Sequence, residues 1–150
     1  MENSNESEKK IFNKCDYLLI FLPMLAVYLP TTVIPFKDDI GKNVPFRPPG
    51  YVFGIVWPIL LFLLGISWYL RRKSELFINF IYIFLTILLS IWYILYDINE
   101  YYGLINIILC FFLTIFLFFY KFNRYPSFLV LPLSGWLIFA SVLNAASIYY

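Results

Sequence analysis

Residues 45–68 read PFRPPGYVFGIVWPILLFLLGISW, and no charged residue occurs from Pro48 to Leu70. A charge-free apolar run of that length matches the ~20 residues a helix needs to cross a bilayer core. Pro48 and Pro49 stand where such a helix begins, the place where a missing N–H matters least. The stretch therefore reads as a stiff polar loop turning directly into a membrane-spanning helix.

The same pattern repeats along the chain. Charges are absent from 17–36, 48–70, 76–96, 101–120 and 125–150. An open strand edge cannot face lipid, so a helix is the default spanning element. Barrel strands would alternate apolar and polar residues, and segments such as IILCFFLTIFLFF do not. The expected fold is an all-α polytopic membrane protein, a bundle of five transmembrane helices at about 17–36, 50–70, 76–97, 101–121 and 127–149. A polar N-terminal tail, 1–16, precedes them, and the long loop 37–49 follows the first. Pro30 with Thr31 and Thr32 marks a kink in the first span, and Pro35 its exit. The links RRKSE, DINE and KFNR are short, which makes successive helices antiparallel neighbours.

Composition supports a lipid environment. Apolar residues are 62% and charged residues 13%, against about 45–50% and about 25% in soluble proteins. A soluble fold of 150 residues could not hide that surface. A net charge of +2 without a basic, aromatic-interleaved block gives no sign of a nucleic-acid partner. The tail has neither a secretory leader nor an Arg-rich transit pattern. Eight Lys and Arg (Lys9, Lys10, Lys14, Arg71, Arg72, Lys73, Lys121, Arg124) share the N-terminal side, against three (Lys37, Lys42, Arg47) opposite. That bias puts the N-terminus on the cytoplasmic-type side.

Several chemistries have little to work with. There is no histidine, the commonest general base and metal ligand. Cys15 and Cys110 lie far apart, which suits neither a disulfide framework nor a zinc site. Charges reach the predicted spans only at their ends, as at Asp97 and Lys121, and not the interior, where ion and proton paths are usually marked. No catalytic residue, metal ligand or required cofactor is assigned.

Aromatic walls and a few polar points remain. Tyrosines near the span ends read as an interfacial belt. Trp57, Trp92 and Trp136 lie deeper, where an indole N–H needs a partner. Trp136, Ala140 and Asn144 recur at i, i+4 and i+8, which sets them along one helix face. That row can line a site for a flat or greasy ligand, or it can be a helix-packing seam. On the adjacent face Ser141 and Ala145 form a small-xxx-small pair, and Gly54 and Gly65 also suit close helix contact or a homodimer seam.

These residues carry a family resemblance. Pro48-Pro49, then Trp57, then Gly65 match the spacing of a Pro-Pro…Val-Trp…Gly signature, and LPLSGWLIFASVLNAA matches a second through Pro132, Trp136, Phe139, Ala140, Leu143 and Asn144. The chain thus resembles the translocator protein family, also called tryptophan-rich sensory proteins (TspO/MBR), over nearly its whole length. It departs from the pattern at Phe46, where the family has Trp, at Asn43-Val44, at Leu61 and at Leu89. No basic residue follows the final tyrosines, so the family's cholesterol-recognition pattern is absent.

The resemblance implies a pocket roofed by the long loop. Its ligands would be protoporphyrin IX or a haem-like tetrapyrrole, sterols or aromatic drugs. Its residues would be Phe46, Arg47, Trp57, Trp92, Trp136, Ala140 and Asn144, with Arg47 meeting a propionate. The leading expectation is a receptor or carrier in contact with membrane lipid. The alternatives are light- or oxygen-dependent porphyrin breakdown, for which less speaks, and a structural homodimer. The host membrane stays open between mitochondrial outer, bacterial-type, and viral or host membranes.

Overall fold

The computed structural model describes residues 16–33, 41–73, 75–120 and 125–149. These form α1 (Leu18–Thr31), α2 (Gly50–Arg71), α3 (Leu76–Ile98), α4 (Glu100–Phe119), the single turn α5 (Tyr125–Phe128) and α6 (Leu131–Tyr149). The described residues contain no strand. α2, α3, α4 and the stretch Tyr125–Tyr149 are each long and apolar enough to cross a membrane.

The first span is shorter than its charge gap suggests. α1 has 14 residues, about 21 Å at 1.5 Å per residue, against a hydrocarbon core of about 30 Å. Its end has a local cause. The Thr31 hydroxyl donates to the Tyr28 carbonyl and the Thr32 hydroxyl to the Leu29 carbonyl, both at 2.7 Å. The Thr32 and Val33 N–H groups reach back three residues, to the Leu29 and Pro30 carbonyls, at 3.2 and 3.1 Å. These tightened bonds satisfy the last carbonyls and close the helix. The expected exit at Pro35 lies outside the described residues. So do most of the tail, Cys15, and Lys9, Lys10, Lys14, Lys37, Lys121 and Arg124, on which the orientation largely rests.

The last span is interrupted. α5 gives way to a turn at Leu129 and Val130 before α6 begins. Pro132 falls in the first turn of α6, where its missing N–H would be unpaired in any helix.

α1 lies against α2 and α3, α3 against α4, α4 against α6, and α6 returns to α2. The ring order is therefore α1–α2–α6–α4–α3. Two seams bring backbones close. A Cβ at Gly65 would collide with the Ile20 carbonyl of α1. A Cβ at Gly103 would stand 2.8 Å from the Tyr96 ring. Asn99 alone separates α3 from α4; its extended backbone ends one helix, and its side chain accepts the Tyr101 N–H at 2.9 Å to start the next. Buried Asn106 ties the same pair together through the Leu88 carbonyl at 3.0 Å.

A polar cluster closes the end of the bundle where α2 finishes. Arg71 is only 6% exposed. It donates to the Leu117 and Tyr120 carbonyls at 2.9 and 3.1 Å and to the Ser127 hydroxyl. Next to it, Ser67 donates to the Pro126 carbonyl at 2.7 Å. A serine has one hydroxyl proton, so the Tyr82 hydroxyl is the donor in its 2.6 Å bond to Ser67. Arg72 faces outward instead, pairing with Asp16 at 2.7 Å and lying over the Tyr69 ring at 4.0 Å.

Candidate functional site

At the opposite end, α1, α2, α3 and α6 diverge around a cavity of about 370 Å³. Its walls are built by helix spacing. Phe53 and Trp57, one turn apart on α2, both reach Trp136 of α6, with ring centroids at 5.6 and 6.4 Å and the two indoles nearly perpendicular at 87°. Phe139 backs Trp136 at 5.3 Å. Across the cavity, α3 contributes Trp92, whose ring sits 5.9 Å from Tyr96.

The polar groups are few. Asn144 donates one amide N–H to the Ala140 carbonyl at 2.8 Å, within α6. Its side-chain oxygen is buried without a hydrogen-bond partner, and so are the indole nitrogens of Trp92 and Trp136. An unpaired buried polar atom costs roughly 1–3 kcal/mol, and three of them belong to residues that border one cavity. All three lie behind the cavity surface with almost no accessible area of their own. Arg47 adds a guanidinium 5.6 Å from the Phe53 ring centre.

The seven residues expected in the pocket divide. Arg47, Trp57, Trp92, Trp136, Ala140 and Asn144 all border the cavity. Phe46 does not, and it is 49% exposed. Two successive turns explain this. Val44 N–H bonds to the Gly41 carbonyl at 2.9 Å, and Arg47 N–H to the Val44 carbonyl at 3.1 Å. This three-residue spacing buries Val44, brings Arg47 to the cavity and turns Phe46 away. Gly41 takes a φ of 66°, which favours glycine, and packs on Leu143 of α6. At the junction, Pro49 occupies the position before the first residue of α2.

The small residues also divide. Gly65 is buried against α1, so its close contact is made within the chain and is not offered to a second copy. Gly54 borders the cavity, and no described atom would touch a Cβ placed there within 4 Å. Ser141 is half-buried and bonds back to the Leu137 carbonyl at 2.7 Å; Ala145 is half-buried beside it.

Sequence reasoning missed Phe53 and the α1 wall of Tyr28 and Thr31. Phe53 was within reach, since it lies one helical turn before Trp57. The α1 residues carried no signal, because tyrosine and threonine near a span end read equally as interface. Among the described residues no three of His, Cys, Asp and Glu cluster as a metal site would require.

The family model for the TspO/MBR family matches residues 19–150. No curated protein matches the sequence.

Proposed function

This chain belongs to the TspO/MBR family, and from that premise we propose that it binds a flat, largely apolar ligand in the bundle cavity, a porphyrin such as protoporphyrin IX or a sterol-like molecule. It is an integral, multi-pass membrane protein. The observation that carries the reading is the pairing of aromatic walls with three unpartnered polar atoms on Trp92, Trp136 and Asn144. A mostly apolar cavity with a small number of placed polar groups is the usual form of a small-molecule site, and about 370 Å³ falls within its range of roughly 300–1,000 Å³. Arg47 at the cavity favours a ligand with an acidic edge, such as a propionate. Binding is the whole of this reading; it assigns no coupling ion and no chemical step.

Quenching of tryptophan fluorescence by protoporphyrin IX in the purified protein tests it. The wild type is expected to quench saturably. Trp136→Phe removes an N–H donor and part of a wall, and is expected to weaken affinity by about tenfold, the equivalent of roughly one hydrogen bond. Trp57→Phe, which keeps an aromatic ring, is expected to lose less, and the double variant more than either. Trp68 and Trp92 stay as reporters in every variant. Unchanged affinity in the double variant would mean that the ligand sits elsewhere.

A further inference from the structure

Gly54 and Gly65 lie eleven residues apart on α2. Eleven residues make three turns to within about 20°, so both glycines share one face. Their surroundings are opposite. Gly65 meets the backbone of α1 at Ile20. Counting the same eleven residues along α1, which runs the other way, leads from Ile20 to Thr31, its last residue. There the seam has parted. No described atom lies within 4 Å of a Cβ at Gly54, the residue is exposed, and it borders the cavity together with Tyr28 and Thr31.

The seam between α1 and α2 is thus shut at one end and open at the other, and the open end leads into the cavity. Among the lining residues, Asn144 is 2% exposed and its side-chain oxygen has no hydrogen-bond partner. Over this end of the bundle, Gly41 rests on Leu143 and Val44 is buried. Gly54 is four residues into α2, about 6 Å from its start. It therefore sits near the loop end of a helix long and apolar enough to cross a membrane.

We propose that the cavity loads sideways from the bilayer, through the slot between α1 and α2, and that Gly54 sets the width of the slot. The identity of the ligand rests on the binding reading above; the slot itself does not. A Cβ at position 54 meets no described atom within 4 Å, and leucine favours the helix over glycine. It leaves the Trp92, Trp136 and Asn144 polar groups in place.

The test is stopped-flow quenching by protoporphyrin IX in lipid nanodiscs. Gly54→Leu is expected to slow association and dissociation together by about tenfold, as an obstructed route requires. Gly135→Leu is the control. Gly135 also has open space around it but does not border the cavity, so wild-type rates are expected. Wild-type rates in Gly54→Leu, or affinity lost without slowing, would overturn the slot. Should protoporphyrin IX fail to quench the wild type saturably, the binding reading falls, and the slot is read with brominated-acyl phosphatidylcholine instead. Stronger tryptophan quenching in the wild type than in Gly54→Leu would uphold the slot; equal quenching would overturn it.

Discussion

Gly65→Ala is expected to lower the melting temperature of the detergent-solubilised protein by about 2–8 °C, and Gly65→Leu to prevent recovery of a monodisperse protein. The added Cβ of alanine meets the Ile20 carbonyl oxygen, carbonyl carbon and Cα of α1, all backbone atoms. A flexible side chain would swing away, but a helix backbone moves only as a body. Overpacking of this kind costs roughly 1–3 kcal/mol and sometimes more. The better helix propensity of alanine returns at most about 1 kcal/mol. In a chain of this size each kcal/mol shifts the midpoint by roughly 2–4 °C. The larger leucine would drive α1 off α2 altogether and take one cavity wall with it. A melting temperature unchanged in Gly65→Ala would show that α1 slides freely on α2, and the closed end of the seam would lose its support.

Arg71→Met should destabilise the fold by roughly 2–4 kcal/mol, read by the same melt, with Arg71→Lys falling between it and wild type. The guanidinium serves three acceptors at once: the Leu117 and Tyr120 carbonyls at the C-terminal end of α4, and Ser127 of α5. Carbonyls at a helix end are the ones a side chain can cap, and a cation there also opposes the negative end of the helix dipole. Hydrogen bonds to a charged group are worth about 1.5–3 kcal/mol each before the cost of burying the charge is subtracted. Lysine keeps the charge but lacks the planar fork, so it reaches fewer acceptors. If methionine were tolerated without loss, burial of the cation would cancel its bonds, as happens for some buried ion pairs.

Arg71 also shows where sequence reading stops. It stands beside Arg72 and Lys73, and that trio reads as solvated positive charge on one side of a membrane. Yet Leu60, Leu64, Ser67 and Arg71 recur at helical spacing, and all four are buried. The stripe was legible; the charge at its end hid it. The long spans were equally legible, because lipid permits few charges, and α2, α3 and α4 start and stop within a few residues of their charge gaps. α1 was not, since its end depends on two threonine hydroxyls turning back onto carbonyls, and charge patterning does not register that.

In the cavity, the row Trp136, Ala140 and Asn144 followed from spacing, but two readings of it remained open, pocket and packing seam. Tertiary structure separates them for one residue pair in particular. Gly54 and Gly65 look alike in sequence, yet one faces a cavity and the other a helix backbone. Nothing in the local sequence distinguishes them, because the difference comes from how far α1 extends. Phe46 lies off the cavity for a similar reason: two turns in the loop bury Val44 and bring Arg47 to the cavity, which local sequence does not announce.

Photocrosslinking with a diazirine-bearing porphyrin in bilayers, mapped by mass spectrometry, tests the central claim most directly. The account predicts adducts on the stretches around Trp92 of α3 and from Trp136 to Asn144 of α6, abolished by excess protoporphyrin IX. Adducts confined to outward-facing positions such as Ile105 and Phe112 of α4, or adducts that excess ligand does not displace, would contradict it.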